Sequence, residues 1–145
     1  MIYFDTSYLA RLYYRDAGWQ AVQKLAATDH VACALHGQAE MLAAFHRKFR
    51  EGAIRPAHYA ALLGQFAADD RASAFQWLPL ARETLDLIGG VYGGLSAGVF
   101  LRAADALHLA AAKQHGFKVV HSHDTHLLAA APHFGLEGRN VIVAA

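Results

Sequence analysis

Twelve acidic residues are spread over 145 positions, and four of them stand where a carboxylate is expensive. Asp5 closes the apolar run Ile2-Tyr3-Phe4, and Asp124 follows Val119-Val120-His121-Ser122-His123. Asp105 lies within Ala103-Ala104-Asp105-Ala106-Leu107, and Glu40 within Gln38-Ala39-Glu40-Met41-Leu42. A charge among apolar neighbours is costly unless it is paired or binds a metal. Convergent carboxylates repel one another, and a hard divalent cation relieves that repulsion. Each residue also has a simpler use. Asp5 and Asp124 precede helical patterns, where Asp is a favoured N-cap, and capping is compatible with ligation. Asp105 near a helix start suits the helix dipole. Glu40 falls opposite Leu42, Phe45 and Phe49, beside Ala44 and Arg47, a place for a solvated ion pair. Asp86, in Leu85-Asp86-Leu87, has a similar apolar setting and shows that such a setting does not by itself mark a site.

A second chemistry competes. The chain holds 10 histidines, and His121, His123 and His126 with Asp124 offer nitrogen and oxygen donors suited to a zinc-dependent hydrolase. His121 and His123 share a side if a strand continues through them, and His126 lies a helical step beyond. Asp105 and His108, at i and i+3, invite the same idea, although packing or hydrogen bonding is the simpler role for His108. Cys33 is the only cysteine, so neither an intrachain disulfide nor a cysteine metal cluster can form, and a buried apolar thiol is expected.

The elements that must carry these residues follow from periodicity and punctuation. Strands are expected over 2–4, 31–34, 75–78, 118–121 and 141–143, and helices over 7–14, 17–27, 37–50, 56–70, 82–92, 103–115 and 125–131. Gly52 and Gly116 close two of the helices, and Pro56 suits a first turn. Short apolar strands alternating with helices indicate an α/β fold with a mainly parallel sheet. In such sheets the functional crevice lies outside the carboxyl ends of the strands, which places Asp5 and Asp124 at one edge. Length fits one domain over 1–145, without repeats or linkers. A net charge of +1 argues against tight binding through many Lys and Arg contacts to phosphate. It leaves room for a nuclease, whose metal supplies positive charge at the scissile phosphate. No basic and apolar leader opens the chain. The apolar stretch 87–101 falls short of the ~20 residues of a membrane helix and reads as buried helix and turn. A soluble, cytoplasmic protein with no membrane partner is the expectation.

Several segments resemble one known family in order. Leu101-Arg102-Ala103-Ala104-Asp105-Ala106-Leu107-His108-Leu109-Ala110-Ala111-Ala112 closely resembles the third acidic motif of VapC-like PIN domains. Ile2-Tyr3-Phe4-Asp5-Thr6-Ser7-Tyr8-Leu9 is similar to the first, and Ala39-Glu40-Met41-Leu42-Ala43-Ala44-Phe45 to the second. Val119-Val120-His121-Ser122-His123-Asp124 with Leu127-Leu128-Ala129-Ala130-Ala131 resembles the last, where a Ser or Thr stands two before the Asp. The glycines of Gly89-Gly90-Val91-Tyr92-Gly93-Gly94 depart from the family and suggest a broken helix there. The triple His121, His123, His126 is not part of the pattern.

The resemblance implies a PIN-like α/β/α sandwich. It makes Asp5, Glu40, Asp105 and Asp124 the catalytic and metal-holding acids, with Thr6 and Ser122 as polar neighbours. It implies Mg²⁺ or Mn²⁺, ions that suit all-oxygen donors. The activity implied is hydrolysis of RNA by an activated water, leaving 5′-phosphate and 3′-hydroxyl ends. It further implies a toxin of a toxin–antitoxin pair, acting on transfer or ribosomal RNA, inhibited by a cognate antitoxin and forming a homodimer. Arg11, Arg15, Arg47, Lys48 and Arg102 are candidate contacts to RNA phosphate, and Tyr8, Tyr13 and Tyr14 candidate stacking partners for bases. A catalytically weak domain that binds RNA or protein, and a DNA nuclease of the same chemistry, are the remaining alternatives.

Overall fold

The structure is a computed structural model and describes residues 1–142. Five parallel strands form its sheet, in the order β3-β2-β1-β4-β5. They are β1 (Ile2–Phe4), β2 (Val31–Ala34), β3 (Phe75–Leu78), β4 (Val119–His121) and β5 (Glu137–Arg139). Seven helices connect them: α1 (Thr6–Ala10), α2 (Trp19–Ala26), α3 (Gly37–Arg50), α4 (Pro56–Arg71), α5 (Arg82–Gly93), α6 (Ala103–Gln114) and α7 (Thr125–Ala130), the last running into a 3₁₀ turn over Ala131–Phe134.

Alternation along the strands builds two apolar layers. Tyr3, Ala32, Ala34 and Val120 face α6, whose Ala106, Leu109, Ala110, Ala111 and Ala112 are fully buried. Phe4, Val31 and Cys33 face the other way, onto Tyr8, Met41, Phe45, Leu62 and Phe66. The result is an α/β/α sandwich. The alanine-rich face of α6 lets that helix lie close to the sheet, which brings Asp105 and His108 down beside β1 and β2. The start of α3 is just as close. A Cβ on Gly37 would stand 2.6 Å from Cys33 Sγ, so only glycine permits this approach.

Three elements differ from expectation. The first helix ends at Ala10 rather than residue 14, because the Arg11 guanidinium takes the Ser7 carbonyl at 2.6 Å and the Ala17 carbonyl at 2.7 Å. The glycines do not break α5, which continues to Gly93. Its apolar side chains Leu87, Ile88 and Val91 are half-buried against the core rather than enclosed. The final strand is Glu137–Arg139, pairing with β4 from Val119↔Glu137 to His121↔Arg139. Val141 and Ile142 lie beyond it, outside any strand, and residue 143 of the expected strand falls outside the described residues. No helix among the described residues is long and apolar enough to cross a membrane.

Candidate functional site

The two central strands end side by side, with Tyr3↔Val120 and Phe4↔His121 in register. Asp5 and Ser122 therefore leave the sheet together at its carboxyl edge. Asp5 caps α1 and accepts from the Tyr8 amide at 3.2 Å. Its carboxylate also accepts from Ser7 Oγ at 2.6 Å and Ser122 Oγ at 2.5 Å. The Ser122 hydroxyl in turn accepts from the Asp124 amide at 2.9 Å. Asp124 caps α7, accepting from His126 N at 2.8 Å and Leu127 N at 3.3 Å. Cap and site are thus one construction: the turn that begins each helix fixes the carboxylate.

Asp105 enters from the first turn of α6. The Arg102 guanidinium spans it and Asp124, at 3.1 Å and 2.5 Å. Glu40 enters from the first turn of α3. Its Oε1 lies 2.5 Å from His108 Nε2, 3.4 Å from His36 Nε2 and 3.4 Å from Thr6 Oγ1. Glu40 is therefore half-buried, turned onto the histidines at the edge of a face whose Ala43 and Arg47 are exposed. Met41 and Phe45 make the buried side of α3 together with Gly37, while Leu42 is 46% exposed. Tyr3 Oη contacts His108 Nδ1 at 2.6 Å and accepts from the Ala34 amide, so the histidine is braced from behind.

Burial sets the electrostatics. It raises the Asp5 carboxyl above its ordinary range, more than His108 and the hydrogen bonds from Ser122, Ser7 and Tyr8 lower it. Burial also raises Asp105 against the pull of Arg102, with Asp124 adding to the rise. At Glu40 burial pushes up, but the His108 contact and charge, with His36 and Thr6, outweigh it and hold the carboxyl low. His108 is opposed by burial, yet Cys33 and Glu40 push it up to about 10. His36 is lowered by burial and by the charge of His108.

Asp5 is the telling member. It is 5% exposed, and among the described residues no basic side chain forms an ion pair with it. A buried carboxylate in that position calls for a cation. Asp5, Asp105 and Asp124 are oxygen donors of the kind a hard ion takes, but their carboxylates do not all come within 4.8 Å of one another, and the Arg102 guanidinium stands between Asp105 and Asp124.

The histidine triple does not come together. His121 is buried with Nδ1 3.3 Å from the Tyr3 carbonyl, His123 Nδ1 meets Asn140 Nδ2 at 3.0 Å, and the His126 ring lies on Phe100. Asp86 pairs on the surface with Arg82 at 3.3 Å. Of the cationic candidates, Arg11 is used within its own turn and Arg15 sits 4.8 Å over the Trp19 ring. Arg47 pairs with Glu51, and Lys48 pairs with Asp16 over the Tyr14 ring. Arg47, Lys48, Thr6, Tyr14 and Glu40 line one cleft of about 520 Å³. Tyr8 is fully buried and Tyr13 packs among Phe45, Phe66 and Phe75, so neither offers a face to a base. Sequence reading passed over Ser7 and His36. Ser7 stands two after Asp5 as Ser122 stands two before Asp124, and His36 precedes Glu40 by one helical turn.

Comparison with known proteins bears on the fold and the family. No curated protein sequence matches the chain. Among solved structures, the FitAcB complex of Neisseria gonorrhoeae aligns with a TM-score of 0.73 at 17% identity, covering 95% of this chain and 96% of that one. VapBC2 of Rickettsia felis, bound to a DNA fragment from its promoter, aligns at 0.68 and 14% identity, covering 97% and 98%. The VapC20 toxin of Mycobacterium tuberculosis, described as cleaving the sarcin-ricin loop, aligns at 0.64 and 20% identity, covering 90% and 95%. At these identities the likeness is one of fold. The family model of the PIN domain matches residues 2–132, and the chain belongs to the PIN-domain family.

Proposed function

We propose that this protein is a metal-dependent endoribonuclease, working as a single PIN unit and as the toxin of a toxin–antitoxin pair. The observation that carries the reading is the buried Asp5 carboxylate, linked through Ser122 to Asp124, which Arg102 in turn bridges to Asp105, without an ion-pair partner of its own among the described residues. Asp5, Asp105 and Asp124, with Glu40 at the rim, would hold Mg²⁺ or Mn²⁺. When bound, such an ion supplies charge for the phosphoryl oxygens and lowers the pKa of water.

The chain's own residues do the rest. Ser7 and Ser122 hold Asp5 in one rotamer by donating to its two oxygens, Ser7 to Oδ1 and Ser122 to Oδ2. His108 and Thr6 hold Glu40 at the mouth of the cleft. Arg47 and Lys48 stand along that cleft, where exchange of Glu51 and Asp16 for phosphate would seat an RNA backbone. Arg102, which bridges Asp105 and Asp124, would offer its guanidinium to a phosphate beside them. The activity belongs with a cognate antitoxin, a partner that the similarity to the FitAcB and VapBC2 structures supports, and with a homodimer and a cytoplasmic setting.

The test is cleavage of structured RNA by wild type and Asp105→Asn in Mg²⁺, in Mn²⁺ and in EDTA. Wild type should cut only with metal, and the variant should lose ~10²–10³-fold in rate, as when one transition-state contact is removed. Cleavage indifferent to EDTA or to the substitution overturns the reading.

A further inference from the structure

The structure assigns a second cation site, for a borderline divalent ion of the zinc class, to His36, Glu40 and His108. Ligand atoms from these three side chains all lie within 4.8 Å of one another, and among the described residues no other group of three or more His, Cys, Asp or Glu side chains does so. The carboxylate is central. Its Oε1 is 3.4 Å from His36 Nε2 and 2.5 Å from His108 Nε2, and the two rings have centroids 4.2 Å apart. Zinc bonds of about 2.0–2.1 Å place tetrahedral donors roughly 3.3 Å apart. The His36 contact already has that spacing, and the His108 contact must open by under ~1 Å.

The surroundings are those of a ligand set. His108 is braced at its far nitrogen by Tyr3 Oη, which the Ala34 amide fixes in turn. Such outer bracing orients metal-binding imidazoles. His36 is held by one nitrogen only, Nε2 at 3.0 Å from the Ala104 carbonyl, and its Nδ1 is buried with no hydrogen-bond partner. Turning this ring toward a cation therefore costs one hydrogen bond. Two imidazoles and one carboxylate favour zinc, cobalt or nickel over magnesium. Binding breaks the N–H bond at His108 Nε2, forms the nitrogen–metal bond in its place and releases that proton to solvent; at His36 the Nε2 proton, donated to the Ala104 carbonyl, moves to the unpartnered Nδ1 as Nε2 takes the metal.

Glu40 then belongs to two sites. An ion held on the histidine side withdraws it from the oxygen-donor centre, so zinc inhibits; this consequence, unlike the site itself, rests on the nuclease reading.

The experiment uses metal-free, untagged protein titrated with Co²⁺ alone and followed by visible absorption, which is strong for tetrahedral and weak for six-coordinate cobalt. Wild type should give the strong spectrum, saturating at one ion and reversed by Zn²⁺. His36→Ala and His36→Gln, checked for folding by circular dichroism, should bind at least tenfold more weakly, whereas Asp124→Asn should keep the spectrum. A weak spectrum in wild type, no change in both His36 variants, or loss in Asp124→Asn overturns the site. In Mg²⁺ cleavage assays, His36→Gln should need at least tenfold more Zn²⁺ than wild type for half inhibition, and equal sensitivity overturns the inhibitory role. Should wild type cut no RNA while the cobalt pattern holds, the nuclease reading fails and the site stands.

Discussion

At Glu40 a carboxylate is held between His108, His36 and Thr6, and its charge state is tied to that of its partner. Glu40 is lowered, so its contribution to stability is present above the ordinary carboxylate pKa and is lost as pH falls through the folded value. His108 is raised to about 10, so its contribution is complete below the ordinary histidine pKa and is lost as pH rises through about 10. The pair is therefore most stabilising between the two. Glu40→Gln should flatten the alkaline fall in Tm between neutral pH and about 10, measured by calorimetry against wild type. An unchanged slope would show that the pair does not titrate with folding. At this scale the sequence was partly legible. Asp5, Asp105 and Asp124 stand out because apolar neighbours make a charge conspicuous. Glu40 does not, since its histidine partners arrive from its own preceding turn and from α6, 68 residues away. Helical periodicity alone therefore reads the exposed face beside it and misses those partners.

Among the elements, α7 is capped by the same Asp124 carboxylate that the proposed metal centre would use. Asp124→Asn keeps a good N-cap and should leave Tm nearly unchanged while removing metal-dependent cleavage. Asp124→Ala should lose both, with a stability cost of ~1 kcal/mol for the cap in denaturant titrations. The exposed contact with Arg102 adds little to that. Gly37 is the counterpart on α3. Gly37→Ala forces a methyl toward Cys33 Sγ, pushing the helix start away from β2, and His36 and Glu40 with it. We expect a loss of stability of ~1–3 kcal/mol, as for overpacked cores, measured by urea unfolding, together with slower cleavage. The main elements could be read from their apolar periodicity, because the sheet is buried on both faces. The fifth strand could not. Its Glu137-Gly138-Arg139 has little β character, and it is a strand because Gly138 lets the chain lie against Leu128 at the sheet edge. The apolar run that follows drew the expectation instead.

For the whole molecule, the raised carboxyls of Asp5 and Asp105 mean that folding without a cation works against charge burial. A raised acid favours the folded state at low pH and loses that advantage as pH rises through the folded value. A divalent ion held by the proposed centre would reverse this, since it would bind the ionised pair. Mg²⁺ or Mn²⁺ at a hundredfold excess over Kd should stabilise by ~2.7 kcal/mol, and EDTA should remove the gain. The rise in Tm should be larger at pH 7 than at about pH 5, where protons compete for the same oxygens. Equal shifts at both would place the ion elsewhere.

The pairing of β1 with β4 has one more consequence, in the order of synthesis. Asp5 is made more than a hundred residues before Ser122 and Asp124, which complete its surroundings. A chain still emerging from the ribosome carries the first carboxylate without the partners that position it. The centre cannot assemble until the segment through α7 is free to fold. A protein that cuts RNA would thus stay harmless to the ribosome making it, by the timing its strand order imposes.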